Sequence, residues 1–410
     1  MPEREAYSIL SVEEALERIL AYVHRLQPES VPILDALDRV LAEDVLADSD
    51  VPPLDNSAMD GYAVRAEDVG GASQEQPARL RVVGELPAGQ MAEQAVGAGE
   101  ALRIMTGAPI PQGADTVVRF EDTRSDDGWV EVLVPMKRGR NVRYAGEDVR
   151  QGSVVLHAGS VVRPQEVGML ANVGRTVAQV IRMPKVVILA TGDEVVPIDA
   201  QPGAGKIRNI NSYSNAAQVR RFGGVPLMLG IARDQSTELG GKIREGLNAG
   251  ADLFVTSGGV SAGDFDLVKK VLAAEGQIDF WWVNMKPGRP MAFGTIGGIP
   301  LLALPGNPVA AMLSLELFGR PAIRKMLGYA DWEWPAVTAR LRDAVARKDN
   351  RRHYLRVYLR QGADGLEAVL TGDQGSGILT SMVQADGLAV IPEDCDYLPA
   401  GSSVQVLLLQ

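Results

Sequence analysis

Soft and borderline metal ligands are scarce: the 410 residues include one cysteine, Cys395, and three histidines, His24, His157 and His353. No disulfide can close within the chain, and a thiolate zinc site is excluded. The histidines lie far apart in sequence, which argues against a histidine metal cluster and against a Ser-His-Asp triad. No run of about 18 apolar residues occurs, so no membrane-spanning helix is expected. The opening residues, MPEREAYS, lack the basic and apolar regions of a secretory signal, and a cytoplasmic protein is the simplest expectation. Positive charge is also in deficit. Lys and Arg number 41 against 52 Asp and Glu, for a net charge of −11 and a pI near 5.0. That balance argues against a nucleic-acid surface and against binding to anionic lipid, and an anionic substrate would need local basic residues.

The apolar fraction of 46% and the charged fraction of 23% are those of a globular protein, long enough for more than one core. Ser11 and Glu14 have capping-box spacing, and Val12, Ala15, Leu16, Ile19, Leu20 and Val23 recur at helical intervals. This helix is expected to end at Pro28 and Pro32. Residues 48–146 are rich in Pro and Gly, with short β-like runs at 80–83, 101–104, 116–120 and 129–134 separated by turn signals such as Asp60-Gly61 and Gln112-Gly113. They predict a small β-rich domain. More strand and turn follow at 146–162, then a helix at 164–173.

From 185 the pattern becomes regular. Apolar strands at 185–190, 226–232, 251–256 and 300–304 alternate with helices at 212–222, 236–249, a helix bearing Val268, Val271 and Leu272, and a long helix at 308–327. Four such alternations predict an open parallel α/β sheet with right-handed crossovers. Beyond Pro335 the runs 337–341, 353–359, 366–370, 388–391 and 403–409 alternate in polarity and predict a small β-sandwich or barrel.

In an open parallel sheet, ligands bind beyond the carboxyl ends of the strands. TGDE (191–194), RD (233–234), SGGVSAGDFD (257–266) and LPGNP (304–308) all fall there. The loop at 257–263 precedes a helix, so its N–H groups can converge on an anion. Its glycines miss the G-x-G-x-x-G spacing. Gly258 and Gly263 bracket four residues as in a Walker A frame, but Asp264 and Phe265 stand where Lys and Ser/Thr are required. Asp264 and Asp266 are compatible with a neighbouring phosphate when a divalent cation lies between, and Mg²⁺ takes one or two carboxylates with phosphate oxygens. Glu194 and Asp234 offer further acid from adjacent strands, although each acid taken singly also suits a helix cap. Lys286 and Arg289, fixed by Pro287 and Pro290, offer the opposite charge. A second polar motif, PPLDNSAMDGY (52–62), carries Asp55, Asn56, Ser57 and Asp60. Spacing alone does not place it relative to the rim.

In order along the chain, PPLDNSAMDGYAV, RIMTGAPIPQGAD, GEDV, TGDEV, NSYSNAAQV, TSGGVSAGDFDLVK, KPGRPMAFG, LPGNPVAAMLSLELF and TGDQGSGIL together resemble the molybdopterin molybdenumtransferase family, MoeA, which includes the C-terminal domain of gephyrin. The resemblance runs from about residue 8 onward. It implies insertion of molybdenum from molybdate into adenylylated molybdopterin with release of AMP, Mg²⁺ as cofactor, an elongated homodimer with a site shared between subunits, and the molybdopterin adenylyltransferase as a partner. It implies four domains, which here would be 1–47 with 147–182, an inserted 48–146, an α/β molybdopterin-binding domain at 183–329 and a β-barrel at 330–410. Catalytic roles would fall to Asp60, Glu194, Asp234, Asp266 and Lys286, and the cation to Asp266 with Asp264 or Glu194. Substrate would be bound by Thr106, Asp148, Ser257, Gly258, Gly259, Ser261, Arg289, Pro305, Asn307, Arg356 and Ser376. One departure stands out: many members carry Lys where this chain has Trp282, in WWVNMKPG, while Arg289 stands where Lys is frequent. Adenylylation of molybdopterin and a non-catalytic, gephyrin-like scaffold are the alternatives.

Overall fold

The computed structural model describes residues 9–233, 235–258, 276–347, 349–363 and 365–409. Its central layer is a six-stranded sheet in the spatial order Val225–Ala232, Lys185–Thr191, Leu253–Ser257, Ile299–Leu304, Pro290–Ile296, Gly276–Trp282. The first four strands run parallel. The last two are antiparallel, so the sheet is mixed rather than wholly parallel as expected. Pro287 and Pro290 were expected to fix Lys286 and Arg289; Pro290 also opens a strand whose Met291, Ala292 and Phe293 are buried.

The central strands are apolar without interruption because both their faces are covered. Val186, Ile188, Val255, Leu302 and Leu304 pack with Ala216, Val219, Val309 and Leu313. Val187, Leu189, Phe254 and Ala303 face the other way, onto Leu239 and Ile243. Each such buried aliphatic side chain contributes roughly 1.5–3 kcal/mol. The covering helices are Ile210–Arg221, Ser236–Asn248 and Pro308–Ser314; the last continues through a π-helical turn, Leu315–Gly319, into Arg320–Met326.

The N-terminal helix, Val12–Ala21, has its capping box: Ser11 N–H donates to Glu14 Oε2 at 2.8 Å and Glu14 N–H to Ser11 Oγ at 3.1 Å. Its apolar face joins the α/β core through Val12, Ala15 and Ile19. It stops at Tyr22, well before Pro28. Pro28–Pro32 is instead a strand of a two-stranded sheet, antiparallel to Val177–Ile181, and such edge positions tolerate proline. A separate core around Leu41, Leu170 and Val180 lies beside this pair.

The β-rich region forms one sheet in the order Thr116–Arg119, Gly61–Val64, Glu100–Ile104, Ala78–Leu86, Trp129–Val132, Thr123–Asp126. Gly61 was expected to form a turn with Asp60. It begins a central strand, paired with Ile104 on one side and Arg119 on the other. The need for glycine there is steric, because a Cβ would lie 1.9 Å from the Val118 carbonyl oxygen.

The C-terminal strands close into a barrel. Arg352–Gly362 pairs with both Gly365–Leu370 and Gly387–Ile391, while Ala336–Leu341 and Ser403–Leu408 complete the circuit. Closure leaves none of these five strands as an open edge. Half-buried Cys395 lies on the loop after Ile391, and its carbonyl accepts from Arg347 Nε. Gly61→Ala is expected to destabilise the protein by about 1–3 kcal/mol through overpacking against the neighbouring strand. A thermal unfolding midpoint equal to that of the unaltered protein would contradict this account.

Candidate active site

Three parallel strands end side by side, with Ala190 opposite Ser257 and Ser257 opposite Leu304. Beyond their carboxyl ends lies a cavity lined by Thr191, Glu194, Asn209, Asn211, Ser257, Gly258, Gly306 and Pro308. The rim expected from the strand order therefore exists, and it brings Glu194, Ser257 and Gly258 together with the LPGNP loop. Gly258 has φ +90°, and a Cβ there would approach Thr191 O to 2.5 Å, so only glycine lets the chain leave the strand at this point. Glu194 is exposed and folds back over Gly192. Asp234, Gly259, Ser261, Asp264 and Asp266 lie outside the described residues, as does the helix expected to carry Val268, Val271 and Leu272.

The helix at 210–221 adds residues that no rim loop had singled out. Asn209 caps it, its Oδ1 accepting from Ser212 N–H at 3.1 Å. Asn211 Nδ2 donates to Gly306 O at 2.8 Å and ties this helix to the LPGNP loop. The Asp193 carbonyl accepts from Lys206 Nζ at 2.7 Å and from Arg233 Nη1 at 3.2 Å, which draws two cations to the rim. The available signal was Asn209, an asparagine two residues before the helical pattern of NSYSNAAQV.

A second group stands where the α/β layer meets the barrel. Pro305 is buried at the end of its strand. Asn307 Nδ2 lies 3.0 Å from Ser376 Oγ, and Val309 N–H donates to Ser376 O at 3.2 Å. Arg356, only 1% exposed, donates from Nε to Ser381 Oγ and from Nη2 to Gly375 O, each at 3.1 Å. Its own N–H donates to Gln374 Oε1 at 2.8 Å. Arg356 thus pins the segment that presses Ser376 onto 307–309, and burial draws its pKa downward. Lys286 Nζ is half-exposed, 3.5 Å from Asp349 Oδ2. The Arg289 guanidinium sits over the Trp282 ring, 5.1 Å from its centroid.

A third group is Asp60, Thr106 and the turn around Asp148. Asp60 Oδ1 accepts from Thr106 N–H at 2.7 Å and from Thr106 Oγ1 at 2.8 Å. These two bonds, the backbone one first, hold the Asp60 carboxyl below its usual range. Asp148 is exposed, and its N–H donates to Val51 O at 3.1 Å. Gly146 N–H donates to Pro52 O at 3.0 Å and Ala145 N–H to Asp55 Oδ1 at 2.8 Å, so the PPLDNS and GEDV motifs are neighbours. Among the described residues, no hydrogen bond or ion pair joins this third group to the other two.

Comparison with known proteins assigns the class first. Residues 187–325 match a family model described as a probable molybdopterin binding domain, residues 10–174 the MoeA N-terminal region (domain I and II), and residues 338–409 the MoeA C-terminal region (domain IV). A molybdopterin molybdenumtransferase of a Nostoc species is 39% identical over 388 residues, 93% of this chain and 88% of its own. Molybdopterin molybdenumtransferase 2 of Mycobacterium tuberculosis is 35% identical over 402 residues, 97% of this chain and 98% of its own. Two crystal structures of the molybdopterin biosynthesis MoeA protein of Pyrococcus horikoshii superpose with TM-scores of 0.85 and 0.83 at 34% and 32% identity, each covering 98% of this chain and 100% of theirs. The chain belongs to the MoeA family of molybdopterin molybdenumtransferases.

The depressed pKa of Asp60 has a direct test. Any stability it lends is present above the unfolded carboxyl pKa and is lost as pH falls through the lower folded value. Thr106→Val removes the hydroxyl donor and leaves the backbone one. The Asp60 midpoint, followed by carboxyl NMR, is expected to rise part of the way towards an ordinary aspartate. An unmoved midpoint would show that the hydroxyl contributes nothing.

Proposed function

We propose that this chain transfers molybdenum from molybdate to adenylylated molybdopterin and releases AMP. The observation that carries the reading is the continuity of the LPGNP loop. Gly306 lines the rim cavity and Asn307 touches Ser376, so one short loop joins the rim to the barrel segment that Arg356 holds. The names of the full-length relatives support the same chemistry. In this reading the amides of 258–261 and Ser257 hold phosphate, Asn307, Ser376 and Pro305 shape the wall, and Lys286 and Arg289 neutralise the oxyanion. Arg356 acts through the loop it pins. Asp60, oriented by Thr106, aligns the attacking oxygen or water, and Asp148 binds substrate. We further propose the domain division 1–47 with 147–182, 48–146, 183–329 and 330–410, action in the cytoplasm, and the molybdopterin adenylyltransferase as the source of substrate.

Mg²⁺ suits the donor chemistry of the rim. Among the described residues Glu194 is an exposed carboxylate on the cavity with no hydrogen bond or ion pair of its own, a hard oxygen donor available to a cation. We propose Glu194, Asp264 and Asp266 as its holders, with Asp234 adding acid from the adjacent strand. When bound, the ion offsets the repulsion between these carboxylates and a phosphate-bearing substrate. Among the described residues no hydrogen bond or ion pair ties the Asp60 group to the rim, and we propose a homodimer in which each copy completes the other's site.

The test is AMP release from adenylylated molybdopterin, with and without molybdate. Release that requires molybdate is expected; ATP consumption without a molybdate requirement would point to the adenylyltransferase, and neither activity to a scaffold. Asp266→Asn is expected to abolish Mg²⁺-dependent turnover while the unfolding midpoint stays unchanged. A fully active variant would remove the proposed cation site. Lys286→Ala is expected to lower kcat/KM about 100-fold, the scale of losing one oriented donor to a developing anion.

A further inference from the structure

Lys286 belongs to the α/β layer, but its nearest charge comes from the barrel. Residues Met285–Lys286 pair in parallel with Arg352 and His353 of the long barrel strand. Asn284 reinforces the seam, its Nδ2 donating to Asn350 O at 2.9 Å and its carbonyl accepting from Arg352 N–H at 3.1 Å. Asp349 directly precedes Asn350, and among the described residues it is the one acid within ion-pair distance of Lys286.

Asp349 is shared unequally. Arg351 Nη2 lies 2.6 Å from Oδ2 and His353 Nε2 lies 2.8 Å from Oδ1, while Lys286 Nζ stands at 3.5 Å from Oδ2. Arg351 and His353 are barrel residues that fix the carboxylate; His353 is 7% exposed, and the Arg351 carbonyl is itself held by Arg347 Nη1. Lys286 is the loosest of the three partners and the most exposed, with 49% of its side chain open to solvent. A half-exposed ion pair at this distance is weak and easily exchanged.

We propose that Asp349 is a resident counter-ion that parks the Lys286 ammonium at the mouth of the site and competes with the incoming oxyanion for it. This rests on the reading that Lys286 meets the oxyanion. Asp349 is a positioning residue: it acts through Lys286, whose charge it partly cancels while the two are paired. The seam fixes the backbone of both partners, so release needs only side-chain rotation.

Isothermal titration of the full chain with molybdate tests the proposal. Asp349→Asn is expected to bind about fivefold more tightly, the upper range for an exposed ion pair, and Asp349→Glu to bind as the unaltered protein does. Arg351→Met, which leaves the carboxylate freer to hold Lys286, is expected to bind more weakly. The gain from Asp349→Asn should vanish when Lys286→Ala is added. A second readout needs no ligand. Acylation of Lys286 by an activated ester, followed by mass spectrometry, should accelerate in Asp349→Asn, because the amine is no longer held against a carboxylate and is freer to reach the ester. Unchanged or slower acylation would overturn the counter-ion role even if molybdate bound nowhere, an outcome that would instead sink the reading of Lys286 as an oxyanion ligand. Equal or weaker molybdate binding by Asp349→Asn, with Asp349→Glu unaltered, would overturn the competition.

Discussion

The registered ends of three neighbouring parallel strands impose the geometry on which the site depends. Ala190, Ser257 and Leu304 stand abreast, so loops 67 and 47 residues apart in sequence leave the sheet at one edge. Side chains covering both faces hold that register, since slipping one strand by one residue would exchange its two buried faces. The polar residues at the edge are therefore positioned by apolar packing behind them. Between the strand ends themselves the polar contact is loose: Thr191 Oγ1 stands 3.4 Å from Ser257 O, a long hydrogen bond.

How much of this was legible in the sequence follows from what each element buries. The runs KVVILA and ADLFVT are apolar because two layers cover them, and they were readable for that reason. The barrel strands were readable by alternation, but alternation fails within Arg352–Gly362, where residues 353–357 are all buried. Leu355 and Val357 fill the barrel while Tyr354 packs into the α/β core. Arg356 sits in that doubly covered stretch. A lone arginine in a strand reads as surface, and only the family resemblance singled it out. PESVP has no periodicity because almost all of it is exposed, so its prolines read as a helix stop rather than as an edge strand. Asp349 was hidden by its setting in RKDNRRH, a basic run that reads as a solvated turn. Its importance comes from a contact across more than 60 positions that no local pattern encodes.

Charge is distributed to suit an acidic protein with anionic substrates. The chain carries a net −11, yet cations collect at the rim, through Lys206 and Arg233, and at the barrel junction, through Lys286, Arg289 and Arg351. Trp282 does not leave its neighbourhood without a cation, because Arg289 lies across its ring. A guanidinium held over an indole is more restrained than a lysine in open solvent, and it presents planar rather than point-like donors.

The solitary thiol has a practical consequence. Cys395 is tied through its carbonyl to Arg347, which holds the Arg351 carbonyl, two residues from Asp349. A fluorophore or spin label attached to that one sulfur would report from beside the seam between the two layers. Because no other cysteine exists to compete for the reagent, the native chain already contains a single-site probe for watching ligands arrive at the junction.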